Sequence, residues 1–399
     1  MVTGTPAAVP SEKKLNILNF YFINGVTLLV IGFFVYMYQT GISWETTAST
    51  HGTNWWSVIL ACVWMVCASL SITGGYHRLF SHSAYKASWP VRLFYLAFGA
   101  SSFQNSAIKW SIDHRRHHAK VDTDKDPYNI NRGFWWAHIG WVFYLDPKGS
   151  DISEAKDLME DPLVMFQHNY YFRFGAVIAY VIPTLLGLLW GDPLGAFILC
   201  GSTRLIFQYH FTFAINSYTH MFGRQPYSLA NSARDSFAAA VLTMGEGYHN
   251  FHHRFQTDYR NGIRWYHYDP TKWFVWTLSK LGMTSNLRIT AKEKIERAKA
   301  AVRAQKEVAS QTLAMKGAQA KQVFAEKSAQ AKQALAEKSA SAQALAHDMS
   351  VSAQALAHDV SDRAQALAHD VSVSAHALAD EVREKSEEAL GPKPHANPN

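Results

Sequence analysis

Four long apolar runs mark the first 220 positions of the chain, at 17–39, 55–72, 174–190 and 194–215. A helix needs about 20 mostly apolar residues to cross the hydrocarbon of a bilayer, and each run is near that length. The last two are parted only by Gly191-Asp192-Pro193, a tight turn. The pattern predicts two helical hairpins and four membrane spans. The first run is too long for a secretory signal, and no small-residue cleavage site follows it. Stretches 89–103, with Pro90 and Arg92, and 237–244 are too mixed or too short to span. They are expected to lie at the membrane interface or to cover a site.

Charge orients these spans. Lys13 and Lys14 precede the first, and the loop 40–54 carries no Lys or Arg. Between the second and third spans lie Arg78, Lys86, Arg92, Lys109, Arg115, Arg116, Lys120 and Lys125. The positive-inside rule places that segment and both termini in the cytoplasm. Arg204 falls inside the fourth run, where a charge is costly unless it faces the bundle interior.

Composition then divides the chain. Beyond Ala291 the only aromatic residue is Phe324, so the last third cannot bury a core of its own. The expected organisation is a cytoplasmic segment 1–16, a membrane body 17–290 and an Ala-rich tail 291–399. In the tail an eleven-residue unit begins at Ser341, Ser352, Arg363 and Ser374, with Leu345, Leu356, Leu367 and Leu378 in register. That period favours a nearly straight helix, here a solvated or partly disordered one. Cys62, Cys67 and Cys200 sit in apolar segments and read as small buried hydrophobes.

The chemistry lies in histidine packets. His77 and His82 are five apart; His114, His117 and His118 stand at i, i+3 and i+4; His249, His252 and His253 repeat that spacing; Asn216 and His220 are four apart. Residues three and four apart share a helix face, so each packet presents its imidazoles together. His77 and His82 are off-face on a regular helix, and Gly74-Gly75 upstream suggests that they flank a helix end. His51, His138, His168, His210 and His267 stand alone and read as hydrogen-bonded structural residues. His347, His358 and His369, eleven apart, are about 16 Å from one another on a helix, too far to share an ion.

Nine imidazoles exceed the capacity of one ion. Zinc takes three or four ligands and has no redox chemistry, so two irons are the first choice. With dioxygen as co-substrate, two irons can attack an unactivated CH2, and a membrane supplies acyl chains rich in such bonds. The electrons must come from an external donor, because no flavin, haem or iron–sulfur motif is present.

Residues 17–288 resemble the membrane fatty-acid desaturases of the stearoyl-CoA (delta-9) type. The matching stretches include Gly74-Gly75-Tyr76-His77-Arg78-Leu79-Phe80-Ser81-His82, Phe103-Gln104-Asn105, Asp113-His114-Arg115-Arg116-His117-His118 after Trp110, and Asp122-Thr123-Asp124-Lys125-Asp126-Pro127-Tyr128. Arg132-Gly133-Phe134, Gly140-Trp141, Asn216-Ser217-Tyr218-Thr219-His220 and Gly245-Glu246-Gly247-Tyr248-His249-Asn250-Phe251-His252-His253 complete them. The resemblance implies an all-α integral membrane protein, with four transmembrane helices and a cytoplasmic helical cap around a histidine-rich dimetal site. It implies that all nine histidines ligate two irons and that Asn216 does so through water. It further implies that Gln104, Trp110 and Thr212 bend the acyl chain, that Asn105 and Asp113 contact the headgroup, and that Met65 and Ser69 end the acyl tunnel. Asp113, Asp122, Asp126 and Asp258 are candidate partners for imidazole N–H groups.

The implied reaction is oxygen-dependent insertion of a cis double bond, at delta-9, into a C16–C18 acyl chain. Acyl-CoA is the expected substrate, and a separate cytochrome b5 or ferredoxin with its reductase the expected donor. Membrane lipid is the surrounding medium, and no nucleic acid is a partner. The sequence departs from the animal pattern where basic residues help to hold coenzyme A: here stand Ile112, Leu145 and Asp146. That weakens phosphate recognition and leaves acyl groups on phospholipid or carrier protein open. With the missing cytochrome b5 domain, it leans toward a bacterial inner membrane over endoplasmic reticulum. Histidine spacing alone leaves open a membrane lipid or alkane hydroxylase, and a metal-binding protein without catalysis.

Overall fold

The computed structural model describes residues 14–40, 54–145 and 151–340, together with Ala355 and Arg363. Helix α1 (Ile17–Gln39) coincides with the first apolar run and buries only Val26 and Met37. Asn16 caps it by accepting the Asn19 N–H at 3.1 Å. A helix that is apolar all round yet bare on most sides suits lipid rather than water. Among the described residues three helical segments are long and apolar enough to cross a membrane by length and composition: Ile17–Gln39, Trp55–Ser81 and Tyr171–Trp190. The fourth run is helical through Pro193–Ala196, Phe197–Thr203 and Arg204–Met221, and is interrupted by Arg204, Gln208 and His210.

Asp192 ties these segments at one end. Its carboxylate accepts from Ser57 Oγ at 2.6 Å, from the Asn54 N–H at 2.8 Å and from the Gly195 N–H at 2.8 Å. Gly191 turns the chain there with φ +76°, a conformation that suits glycine. Arg204 faces the interior, as its cost in an apolar run requires. It donates to the carbonyls of Cys200 and Ser101 and to Gln208 Oε1, at 2.6, 2.9 and 2.5 Å. Every partner is structural, so Arg204 braces the helices.

Helix α2 (Trp55–Leu70) does not end at 72. It continues as a wide helix, Ser71–Ser81, with i→i+5 hydrogen bonding and every residue buried. Such widened turns are rare and occur mostly at functional sites. Gly74 and Gly75 therefore do not mark a helix end. They lie inside the wide helix because α3 (Trp89–Ala100) packs against it: a Cβ on Gly75 would stand 2.5 Å from Tyr95 Cβ. Gly99 answers from α3, where a Cβ would meet Tyr76 Cε1 at 2.3 Å. Tyr76, Tyr95, Ile108 and Ile112 share the core at this junction.

Further helices pack on the wide helix or on Arg204–Met221. They are α4 (Ala107–Lys120), α5 (Phe134–His138) and the helices Phe237–Leu242, His249–Arg254 and Pro270–Lys280. A two-residue antiparallel ladder, Lys86 opposite Ser285 and Ala87 opposite Thr284, closes the cap and is the one strand pairing in an otherwise helical body among the described residues. The helix Lys292–Ala340 begins by burying Ile295, Ala298 and Val302, with Ile295 against Tyr227 and Phe251. The described residues beyond 308 belong to a separate unit. Apart from Ala355 and Arg363, the eleven-residue repeats lie outside the described residues.

Candidate metal centre

The wide helix explains how residues five apart share a site. A turn of i→i+5 bonding holds more residues than a regular turn, so His77 and His82 return to nearly one face. The His82 N–H closes the helix on the His77 carbonyl at 3.2 Å. On α4, Trp110, His114, His117 and His118 form one stripe at helical spacing. The short helix His249–Arg254 supplies the last packet, and His220 comes from the end of Arg204–Met221.

All nine packet histidines converge, and they separate into two groups. One holds His77, His82, His114, His118 and His252; the other holds His117, His220, His249 and His253. Within each group the ligand nitrogens lie within 4.8 Å of one another. Nε2 atoms approach closely: His77 to His252 at 2.9 Å, His82 to His114 at 2.8 Å, His252 to His118 at 2.9 Å. In the second group His220 to His249 is 3.1 Å, His249 to His253 3.0 Å and His117 to His253 3.3 Å.

Neighbouring groups fix which nitrogen carries the proton. His77 Nδ1 donates to Glu246 Oε2 at 2.7 Å, and His117 Nδ1 to Asp126 Oδ1 at 2.9 Å. His220 Nδ1 donates to Ser232 Oγ at 2.7 Å, which passes its own proton to Asp122 Oδ1 at 2.5 Å. With Nδ1 protonated, Nε2 is left as a bare lone pair aimed at other imidazole nitrogens. Lone pairs facing each other at about 3 Å repel unless a cation lies between them. Metal–nitrogen bonds of about 2.0–2.1 Å put adjacent donors roughly 3 Å apart, so the donor sets fit two imidazole-bound ions.

Electrostatics agree. Burial, and then the neighbouring imidazoles, hold His114, His118, His252, His249 and His253 well below the usual histidine range. For His82 burial again leads, with nearby histidines and arginines adding to it. These side chains stay neutral, the form in which imidazole binds a metal. Burial pushes the Glu246 carboxyl up, but His77 and the Arg78 guanidinium outweigh it and hold it down at about 2. Arg78, itself buried, donates to Glu246 at 2.8 Å and pairs with Asp269 at 3.0 Å.

Both groups border one cavity of about 1190 Å³, whose wall includes His77, His114, His249, Asn216 and Glu246. Phe22, Ile23, Phe103, Phe213 and Ile215 supply apolar lining. Gln104 Nε2 donates to Thr212 Oγ1 at 3.1 Å, and Trp110 stacks on His114 at 4.9 Å; all three residues line the cavity. Asn105 and Asp113 line it as well. Met65 and Ser69 sit half-buried on α2, outside the residues that line it.

The carboxylates sort differently from the sequence expectation. Asp126 reaches its histidine directly, Asp122 lies 4.0 Å from His220 Nδ1 and also holds it through Ser232, and Asp113 lies in the cavity wall. Asp258 holds Arg260 at 2.9 Å and the Thr290 N–H at 2.8 Å instead of an imidazole, because it closes the loop after the ligand helix. Glu246 and Ser232 were missed. A lone carboxylate three residues ahead of His249 is the available signal for Glu246; nothing in sequence points to Ser232. His138, read as structural, bonds Ser217 Oγ at 2.9 Å and His210 at 3.0 Å.

These features describe a helical protein with membrane-crossing segments and paired histidine groups beside an apolar cavity. The sequence model of fatty acid desaturases matches residues 53–283, and the chain belongs to that family. It is 46% identical over 243 residues to a probable acyl-CoA desaturase of Schizosaccharomyces pombe, covering 60% of this chain and 51% of that one. It is 44% identical over 231 residues to acyl-CoA desaturase 1 of Saccharomyces cerevisiae, covering 57% and 45%. It is 38% identical over 240 residues to stearoyl-CoA desaturase 5 of Bos taurus, covering 58% and 71%. The chain thus spans about half the length of the two yeast relatives.

Proposed function

We propose that this protein is an oxygen-dependent acyl desaturase that introduces a cis double bond, at delta-9, into a saturated C16–C18 acyl chain carried as its coenzyme A thioester. The observation that carries the reading is the pair of histidine groups on one apolar cavity whose wall includes the bonded pair Gln104 and Thr212. His77, His82, His114, His118 and His252 would hold one iron; His117, His220, His249 and His253 would hold the other, with Asn216 binding through water. Bound there, the two irons supply the activation of dioxygen. Two electrons from a separate cytochrome b5 or ferredoxin, with two protons and the two hydrogens of the substrate, reduce one dioxygen to two waters.

The chain's own residues position the substrate. Phe22, Phe103 and Phe213 exclude water from the acyl chain. Gln104 and Thr212, locked to each other, present a polar shelf in an apolar channel, and Trp110 walls it beside His114. A chain lying over that shelf bends, which brings one C–C bond toward the histidines and favours the cis product. Glu246, Asp126 and Ser232 keep three imidazoles aimed.

For topology we propose four spans, the fourth being the helical run that ends at Met221, with both termini and the histidine groups on the cytoplasmic face. The bacterial inner membrane expected from the tail and from the weak coenzyme-binding pattern gains nothing from the relatives named above, which are yeast and cattle proteins. The test is turnover of stearoyl-CoA deuterated at C9 and C10, with iron-loaded protein in nanodiscs and an external donor. Loss of one deuterium from each carbon in a cis-9 monoene supports the reading. A hydroxylated chain assigns a hydroxylase, and the same product made only from phospholipid moves the substrate.

A further inference from the structure

The loop that carries Gln104 lies in register along the helix Arg204–Met221. Arg204 donates to the Ser101 carbonyl at 2.9 Å and Gln208 Nε2 to Ser102 Oγ at 2.8 Å. Tyr209 Oη donates to the Phe103 carbonyl at 3.0 Å, and Gln104 Nε2 to Thr212 Oγ1 at 3.1 Å. Consecutive loop residues thus meet positions 204, 208, 209 and 212 in order. Residues four apart share a helix face, so 204, 208 and 212 form one stripe, and 209 lies about one turn before 212.

The loop is not relaxed. Phe103 and Asn105, on either side of Gln104, have φ +48° and +76°. Asparagine tolerates that left-handed region, whereas a bulky side chain is seldom found there and needs its surroundings to hold it. Two tyrosines do the holding. Tyr209 engages the Phe103 carbonyl, and Tyr171 Oη accepts the Asn105 N–H at 3.0 Å. The Phe103 ring packs on Phe22 at 5.3 Å and on Phe172 at 5.8 Å. Tyr209 borders the cavity, but its hydroxyl is turned to Phe103; Tyr171 is outside the residues that line it.

The loop is also tied to two helices that carry histidines. Gln167 Oε1 accepts the Ala107 N–H at 3.1 Å where α4 begins, seven residues before His114, and Thr212 stands eight residues before His220. Those spacings are about 10 and 12 Å of helix. The Gln104–Thr212 pair is therefore a stop at a set distance from the histidine groups. We propose that Tyr209 and Tyr171 are positioning residues for regiochemistry: by holding Phe103 and Asn105 they fix that stop, and so select which carbon–carbon bond of the acyl chain lies against the histidines. This assignment rests on the acyl-desaturation reading above. A displacement of about 1 Å, close to the advance per methylene of an extended chain, costs up to about a hundredfold at the intended bond.

The test is product analysis with the full-length, iron-loaded chain in nanodiscs, given stearoyl-CoA and an external donor. The parent is compared with Tyr171→Phe/Tyr209→Phe, which keeps both rings and loses both hydroxyls. The ratio of double bonds at neighbouring positions to those at delta-9 is expected to rise about tenfold or more, with iron content unchanged. A merely structural role would slow the delta-9 product without moving that ratio, so an unchanged ratio overturns the proposal. A second measurement needs no turnover. Stearoyl-CoA bearing a diazirine at C9 is photolysed on the iron-loaded protein without donor, and the labelled residues are read by mass spectrometry. Labelling is expected to shift along the cavity between parent and variant, and the same labelling in both overturns the proposal. Shifted labelling with no monoene from the parent chain keeps this assignment and sinks desaturation; delta-9 monoene alone from both chains does the reverse.

Discussion

His252 and His253 are adjacent in sequence yet serve different histidine groups. Nε2 of His252 lies 2.9 Å from both His77 and His118, while Nε2 of His253 lies 3.0 Å from His249 and 3.3 Å from His117. The short helix His249–Arg254 therefore bridges the two sites. His252→Ala and His253→Ala are each expected to lower bound iron by about half, because each removes a ligand from one site only. Iron per protein together with Mössbauer spectra checks this, and the two variants should retain different residual signals. Identical spectra from both would refute the division.

Glu246 links the first group to the buried ion network. Glu246→Gln is expected to weaken iron affinity by about 10–100-fold, measured by competition with a chelator. Arg78→Met acts differently, because it leaves Glu246 and Asp269 buried without their cation. It is expected to cost about 3–5 kcal/mol of stability, read as a lower Tm even without metal. If Glu246→Gln held iron as tightly as the parent chain, the orienting role would be wrong.

The packets at i, i+3 and i+4 were legible because regular helices translate that spacing directly into one face. The division was not, since His252 and His253 differ by one residue and only the packing angle of their helix sends them apart. Five-residue spacing misled about Gly74-Gly75, because widened turns have no sequence signature comparable to helical period. The glycines are set by Tyr95, a partner from another helix. The apolar runs placed α1 to the residue but could not show how far Trp55–Ser81 continues, since its last third trades lipid contact for burial under the cap. Asp258 looked like a histidine partner because proximity in sequence says little about which way a carboxylate turns.

His138 gives a pH prediction away from the packet histidines. Burial, and then His210, hold it down at about 4, below the ordinary value near 6.5. A depressed histidine contributes stability that is complete above about 6.5 and is lost as pH falls toward the folded value. The loss from this group is up to roughly 3 kcal/mol. The difference in Tm between the parent chain and His138→Leu should therefore shrink between pH 7 and pH 4. A constant difference would show that His138 does not titrate in that window.

Thr212→Val removes the acceptor for Gln104 while keeping the side chain's shape. Loss of that shelf is expected to slow turnover by about tenfold to a hundredfold through misplacement of the acyl chain, with iron content unchanged. The trans share of the product should rise. Single-turnover product analysis reads both, and an unaltered rate and isomer ratio would remove Gln104 and Thr212 from substrate bending.

The most direct test of the central claim is fatty-acid analysis of a host lacking its own desaturase, by gas chromatography–mass spectrometry with double-bond location. The account predicts a new cis-9 monoene with the parent chain and none with His117→Ala. Hydroxylated chains, or an unchanged profile from folded, iron-loaded protein supplied with electron donors, would contradict it.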